Sequence, residues 1–152
     1  MFFRYGPEVD GPEDAAFLDG YSEADWARLI EAGRRERYRA EEVVAAEGTQ
    51  DRTLYIVLEG RLQTVLGQGR RRRRLSTIPT GSVFGELSFI DGGLRSASVV
   101  AETDVEVLRL EFGEFEALLH TRPLLAYQLL LDLSRVLVVR VRRLTDTLAN
   151  GN

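Results

Sequence analysis

The middle of the chain carries a series of short apolar runs, and this series constrains the fold more than any other feature. The runs are rich in Val, Ile and Leu, turn signals with Gly, Pro or Asp separate them, and they occupy residues 43–44, 54–58, 61–66, 75–78, 97–100 and 105–110. Many short strands at regular spacing are typical of an antiparallel β-roll or barrel. The strands on either side of Gly67 and Gly69 are expected to form a hairpin.

Helical patterns flank this region on both sides. Ser22 followed by acidic residues is typical of a helix N-terminus, and this helix is predicted to end near Gly33. After the last strand, the sequence predicts a short helix over 112–120 and a long helix over about 123–148, because Pro123 is well placed in a first turn. The predicted fold class is therefore mainly β with flanking helices.

The long C-terminal helix carries apolar residues on more than one side, and such a helix must bury more than one side. One side is predicted to pack on the roll, and the other is predicted to form a homodimer with a second chain. The predicted seam repeats at intervals of three and four residues, as knobs-into-holes packing requires. Its residues are Leu130, Leu133, Leu137, Val141, Leu144 and Leu148.

The composition argues against several kinds of site. The chain has no cysteine and one histidine, His120, so neither a disulfide framework nor a His- or Cys-rich metal site is predicted. The N-terminus lacks a basic segment followed by a long apolar run, and no stretch reaches the ~20 apolar residues of a membrane span. We therefore expect a cytoplasmic protein without a membrane span, which begins with a flexible arm over residues 1–14.

The positive charge is concentrated in one place. All 20 basic residues are arginine, and five of them are consecutive, from Arg70 to Arg74. Without this run, the remaining 15 arginines face 24 acidic residues, so a broad nucleic-acid-binding surface is not expected. Three interpretations of the run stay open: a solvated hairpin strand, a docking site for an anionic partner, and a basic-directed phosphorylation site at Ser76.

Residues 84–98 read FGELSFIDGGLRSAS, and a turn alone would require only the glycines of this stretch. Gly85 permits a ligand to approach the backbone closely, and a helical turn after it would present free N–H groups to an anion. Arg95 supplies a planar fork of donors suited to phosphate oxygens, and Ser96 adds a hydroxyl. Glu86 would repel a phosphate in direct contact, so it is expected to accept a hydrogen bond from a sugar hydroxyl. Together these residues predict a nucleotide pocket.

This stretch and its flanks, AAEGTQDRTLYIVLEGRL and AETDVEVLRLEFGEF, resemble the cyclic nucleotide-binding domain family. The family includes the bacterial catabolite activator protein, the regulatory subunit of cAMP-dependent kinase and cyclic-nucleotide-gated channels. The resemblance covers residues 15–148 and implies an eight-stranded antiparallel, jelly-roll-like β-roll with an N-terminal helix and a long C-terminal helix. It implies cAMP or cGMP as the ligand rather than a cofactor. The sequence contains no kinase or cyclase motif, and it has one histidine and no cysteine to bind a metal, so we expect no enzyme, no catalytic residue and no metal.

The resemblance also implies roles for individual residues. By this likeness, Glu86 would take the ribose 2′-hydroxyl, and Arg95 and Ser96 would hold the cyclic phosphate. Leu75 lies where relatives place an apolar residue against the base. Val136 stands where channel relatives place a base-capping arginine, and Arg140, one turn further along, is the candidate cap. The ligand-binding residues implied in this way are Gly85, Glu86, Leu87, Arg95, Ser96, Leu75 and Arg140.

The sequence ends soon after the long helix, without the helix-turn-helix module of the family's transcription factors. We therefore expect a stand-alone cyclic nucleotide sensor, without a DNA-binding module, that signals through movement of its C-terminal helix. The main alternative is a ligand-free interaction domain of the same fold, which dimerises or docks to a larger assembly through that helix. A metal-dependent enzyme on a similar roll is a third interpretation, and the single histidine leaves it almost no ligand set.

Overall fold

The computed structural model describes residues 20–151, so the predicted flexible arm over residues 1–14 lies outside the described residues. The six strands and the flanking helices predicted from the sequence pattern are present in the predicted order, with the long helix last, and two further strands join them. The elements are α1 (Glu23–Ala32), β1 (Arg34–Tyr38), β2 (Val43–Ala45), β3 (Thr53–Glu59), β4 (Leu62–Leu66), a 3-10 turn (Gly69–Arg71), β5 (Arg73–Ile78), β6 (Val83–Phe84), α2 (Glu86–Asp91), β7 (Ser98–Ala101), β8 (Val105–Glu111), α3 (Phe112–Thr121) and α4 (Pro123–Ala149).

The eight strands form two four-stranded antiparallel sheets, with the orders β1-β8-β3-β6 and β2-β7-β4-β5. Both sheets contribute side chains to one apolar core, in which residues such as Ile56, Leu62, Ile78 and Leu108 are fully or almost fully buried. The core also receives side chains from all four α-helices. This architecture confirms the predicted fold class, an eight-stranded β-roll with flanking helices.

Two strands have no apolar pattern in the sequence. Strand β1 reads RRERY and pairs with β8 along its whole length, and two of its charged residues, Glu36 and Arg37, form ion pairs with β8. Arg37 Nε lies 3.0 Å from Glu106 Oε2, and Arg109 Nη1 lies 3.0 Å from Glu36 Oε1. Opposite charges on neighbouring strands stabilise such pairing without apolar side chains. Strand β6 has only two residues, too few to show any period.

The predicted helix starts are confirmed by their caps. Ser22 accepts a hydrogen bond from the Asp25 N–H, and the Asp25 side chain accepts one from the Ser22 N–H, which completes a capping box at α1. Pro123 occupies the first turn of α4, where its missing N–H leaves no intrahelical bond unmade. Helix α1 ends at Ala32, with Gly33 as its C-cap.

Helix α4 packs on the rest of the chain with one face of its first half. The buried residues of this face are Leu125, Ala126, Leu129, Leu133 and Val136. Leu133 is 0% exposed, so its predicted place in the dimer seam is wrong, because its side chain already lies in the core of its own chain. The other predicted seam residues are Leu130, Val141, Leu144 and Leu148, which are exposed, and Leu137, which is half-buried.

Two further observations bear on the sequence expectations. Ser76 is buried in β5 and its hydroxyl lies 2.6 Å from the Thr64 hydroxyl, so the phosphorylation interpretation is wrong for the folded chain. Within residues 20–151, no helix has both the length and the apolar character that crossing a bilayer requires.

Candidate ligand-binding site

The candidate site is built around the short helix α2 and the loop that follows it. Gly85, the residue before α2, has a φ of +82°, a left-handed conformation that favours glycine. A Cβ at this position would lie 2.6 Å from the Thr53 carbonyl oxygen and would also collide with the Arg95 guanidinium. The glycine therefore allows the start of α2 to lie directly against β3 and against the predicted phosphate-binding arginine.

Glu86 begins α2 and is 0% exposed. Its Oε1 accepts a hydrogen bond from Arg140 Nη1 of α4, which is the one long-range ion pair that ties α4 to α2 in the described part of the chain. Its Oε2 is buried and accepts no hydrogen bond from residues 20–151. Burial raises the pKa of Glu86 to about 8, and the nearby positive charges of Arg140 and Arg95 offset part of that increase in the pKa.

Arg95 lies in the loop between α2 and β7 and is only 6% exposed. Its Nη2 donates a hydrogen bond to the Thr53 carbonyl oxygen at 3.0 Å and lies 3.4 Å from Asp51 Oδ2. Its guanidinium carbon lies 5.6 Å from the centre of the Tyr55 ring. The Nε of Arg95 is buried and has no hydrogen-bond acceptor within the described residues. The guanidinium is thus held in place, while its buried Nε–H has no acceptor among the described residues.

Two residues that hold the site together have no signal in the sequence. Asp51 pairs with Arg95, and the neighbouring Arg52 donates hydrogen bonds to the carbonyl oxygens of Phe89 at 3.0 Å and Ile90 at 2.9 Å. Because these carbonyls lie at the C-terminal end of α2, the cation stabilises that end of the helix. The partners are far apart along the chain, so neither role follows from local sequence.

A small cavity of about 110 Å³ opens beside α2. Four of the seven predicted ligand-binding residues line it: Gly85, Leu87, Arg95 and Ser96. The other three do not line this cavity. Glu86 is buried at the start of α2, Arg140 reaches Glu86 from α4, and Leu75 lies half-buried on β5.

The two antiparallel sheets define a β-roll domain, and one short helix–loop segment of it carries a buried carboxylate, Glu86, and a buried guanidinium, Arg95. We call this segment, residues 85–96, the α2 cassette. The chain belongs to the cyclic nucleotide-binding domain family, because the family model of that description matches residues 35–122. The family binds cyclic nucleotide as a ligand. Within residues 20–151, no cluster of His, Cys, Asp and Glu side chains has the composition of a metal site.

Curated relatives support the family assignment. The chain is 34% identical over 103 residues to the cyclic AMP receptor protein of Thermus thermophilus, a match that covers 67% of this chain and 48% of that protein. It is 36% identical over 112 residues to a CRP-like cAMP-activated global transcriptional regulator of Mycobacterium tuberculosis, a match that covers 70% of this chain and 46% of the regulator. The matched region thus spans about half the length of each of these relatives.

A solved structure shows the same fold. The crystal structure of the Thermus thermophilus catabolite activator protein superposes with a TM-score of 0.74 at 28% identity, over 88% of this chain and 61% of that chain. The superposition extends beyond residues 35–122, so the similarity includes part of the helical flanks as well as the roll.

Proposed function

We propose that the chain is a cyclic nucleotide sensor, which binds cAMP or cGMP in the α2 cassette and signals through α4. One observation carries this proposal: among the described residues, a buried acceptor of the cassette, Glu86 Oε2, has no donor, and a buried donor, Arg95 Nε, has no acceptor. Buried polar atoms are nearly always hydrogen-bonded, so an unmatched acceptor and an unmatched donor in one cassette favour a ligand that supplies both partners.

A cyclic nucleotide carries both of these partners. Its ribose 2′-hydroxyl would donate to Glu86 Oε2 in the ionised form of the carboxyl, which the charges of Arg140 and Arg95 favour. Its cyclic phosphate would accept from Arg95, with the Ser96 hydroxyl as a further donor. Asp51 Oδ2 lies 3.4 Å from Arg95 Nη2. In the proposed complex the guanidinium lies between the Asp51 carboxylate and the phosphate, so that its positive charge offsets the repulsion between these two anions. Leu87 and Leu75 remain the proposed apolar contacts, and Gly85 lets the ligand approach the backbone.

The proposed signal passes through Arg140. This residue donates to one oxygen of Glu86, and no described residue donates to the other oxygen, so the ligand and α4 would share a single carboxylate. A ligand that draws Glu86 towards its own hydroxyl changes the strength of the Arg140 contact, and therefore the preferred position of α4. The ligand shifts that equilibrium only by its difference in affinity for the two helix positions. In this proposal Arg140 is a coupling residue as well as the candidate cap on the base.

The rest of the proposal concerns where and how such a sensor acts. We propose that the domain acts in the cytoplasm, without catalysis of its own, and that any downstream response comes from a partner that reads the position of α4. The domain boundaries, 15–148 with α4 included, are part of this proposal.

Thermal unfolding in the presence of nucleotide tests binding. A ligand that binds only the folded chain raises the unfolding temperature, and the stabilisation is about 2.7 kcal/mol when its concentration is one hundred times Kd. We expect cAMP or cGMP to raise the temperature and linear AMP or GMP to leave it nearly unchanged. Equal shifts from the cyclic and linear nucleotides would contradict a cassette built for a cyclic phosphate.

A second candidate function rests on the exposed face of α4. Five apolar residues form a stripe along this helix. From Leu137 to Leu148 they follow one another at intervals of four, three and four residues, and Leu130 precedes Leu137 by seven residues, with Ser134 between them on the same face. A monomer rarely exposes a contiguous apolar patch of more than a few hundred Å². We propose that this stripe packs against the same stripe of a second chain, as an interaction domain would do with or without nucleotide. The stripe consists of Leu130, Leu137, Val141, Leu144 and Leu148.

The two functions are compatible, and nucleotide titration separates them. A dimer that binds neither cAMP nor cGMP would favour the interaction domain alone. A dimer whose nucleotide affinity depends on Arg140 would favour the sensor, because only the sensor couples the cassette to α4.

A further inference from the structure

The hairpin of β4 and β5 presents arginines at an outer edge of the roll. Strand β5 is the last strand of its sheet, and across the hairpin Leu66 pairs with Arg73. The connection between the strands has a defined shape. Gly67 has a φ of +80°, and a Cβ there would lie 2.7 Å from the Arg71 carbonyl oxygen. The backbone of this turn therefore has a defined conformation, from which the arginine side chains project.

Four of the five consecutive arginines, Arg70–Arg73, form no ion pair within the described chain. Arg74 lies 3.6 Å from Glu102 and also bonds to the Thr77 hydroxyl. By contrast, the four arginines from Arg70 to Arg73 are exposed, and no carboxylate of residues 20–151 lies within ion-pair distance of them. Four adjacent like charges repel one another, and the carboxylate that lies at the turn, Glu47, accepts a hydrogen bond from the Gly67 N–H rather than pairing with one of these arginines.

We propose that this basic turn, Arg70–Arg73, docks on a bilayer surface that bears anionic headgroups. The arginine guanidinium is a planar fork of donors that matches phosphate oxygens. Clusters of about four to eight basic residues beside a membrane helix or on an amphipathic helix bind anionic lipids, and this turn presents a similar number of charges on a hairpin. Leu66, which is 38% exposed and faces Arg73 across the hairpin, adds an apolar contact beside the charges. This inference goes beyond the proposed function, because no part of the nucleotide cassette is used.

Nucleic acid fits the same turn less well. The hairpin strands and their turn, residues 62–78, contain no aromatic side chain on which the bases of a single strand would stack. A duplex groove has phosphates on both sides of an inserted turn, and these phosphates would approach the part of the chain outside the hairpin. That part carries 24 acidic residues against 15 arginines, so it would repel them. A flat surface contacts only the tip. Acidic groups further away than about 10 Å are largely screened from it at ordinary salt.

Vesicle co-sedimentation tests the proposal. The probes are vesicles of phosphatidylcholine with and without phosphatidylserine, at low and at high salt. We expect the full chain to bind only the anionic vesicles and to release them as salt is raised. Replacing Arg70, Arg71, Arg72 and Arg73 by Ser should weaken binding on the order of a hundredfold or more, since each arginine near such a surface contributes roughly fivefold.

A matched control keeps the net charge of that variant but changes other exposed arginines: Arg28, Arg35, Arg39 and Arg122 to Ser. If the control loses as much vesicle binding as the turn variant, the effect is one of net charge and the proposal is wrong. Equal binding of wild type and turn variant also overturns it, as does tighter binding of a random DNA duplex than of anionic vesicles at the same salt. The turn variant should still bind cyclic nucleotide, so failure of this proposal and failure of the sensor are separate results.

Discussion

Arg140, near the middle of the second half of α4, donates a hydrogen bond to the fully buried Glu86 at the start of α2. The two residues are 54 positions apart in the sequence, and the contact joins the element proposed to move to the element proposed to bind. Within residues 20–151, only one of the two carboxylate oxygens of Glu86 accepts a side-chain hydrogen bond. The contact therefore links α4 directly to the carboxylate that is proposed to bind the ribose hydroxyl.

A double-mutant cycle tests the energetic coupling between Arg140 and Glu86. Arg140→Leu should lower the free energy of unfolding, because the buried Glu86 carboxyl loses its hydrogen-bond donor. Glu86→Gln should also lower it, because the Arg140 guanidinium loses its charged acceptor. The double variant should lose less than the sum of the two, with a coupling energy on the order of 1–3 kcal/mol in denaturant unfolding. Arg142→Leu, an exposed arginine of the same helix, is the control and should change little. Additive losses would show that the contact carries no coupling.

The pH dependence of stability should reveal the buried carboxyl. Because burial raises the pKa of Glu86 to about 8 in the folded chain, the folded state keeps its proton at pH values where the unfolded state has lost it. Its contribution therefore makes the free energy of unfolding fall as pH rises from about 4.5 to about 8. Chemical denaturation of wild type and Glu86→Gln across this window measures the difference. The slope should flatten in Glu86→Gln, and parallel curves would contradict the raised pKa.

The fold was predictable from sequence where local pattern and tertiary role agree. The apolar runs of β3 and β8 and the cap at Ser22 gave strands and a helix at the expected places. Strand β1 escaped prediction because its residues are charged, and its stability depends on partners on β8 that lie about 70 residues away. No local period reports such a pairing.

The candidate site shows the same division. The glutamate and arginine of the cassette, Glu86 and Arg95, were predicted because their residue types suit a sugar hydroxyl and a phosphate. Asp51 and Arg52 were missed, since each contacts the cassette from a loop more than 35 residues away. Leu133 was assigned to the dimer seam because spacing alone does not say which apolar face of α4 meets its own roll.

The corrected stripe on α4 predicts a dimer. Leu144→Asp places a carboxylate within the exposed stripe, so it should dissociate a dimer without disturbing the fold of one chain. Arg142→Asp introduces the same group outside the stripe and is the matched control. Light scattering at micromolar concentration should report a dimer for wild type and for the control, and a monomer for Leu144→Asp. A soluble wild-type monomer would rule out the stripe as a homodimer interface.

The ribose contact can be tested by affinity. Glu86→Ala should weaken cyclic nucleotide binding by about 1–3 kcal/mol, because it removes an acceptor for the 2′-hydroxyl. The matching change in the ligand is a 2′-deoxy cyclic nucleotide, which lacks that hydroxyl. Wild type should lose affinity for the deoxy ligand, and Glu86→Ala should bind both ligands alike. If the variant still prefers the ribose form, another residue receives the hydroxyl.

The central claim is that Arg95 holds the cyclic phosphate of a bound nucleotide, and isothermal titration calorimetry with cAMP and cGMP tests it most directly. Wild type should bind at least one of the two, and Arg95→Ala should weaken that binding by about 2–5 kcal/mol, since a desolvated phosphate loses its charged partner. Arg28→Ala, at an exposed position on α1, should bind as wild type does. Equal affinities for wild type and Arg95→Ala, or a folded wild type that binds neither nucleotide, would contradict the account.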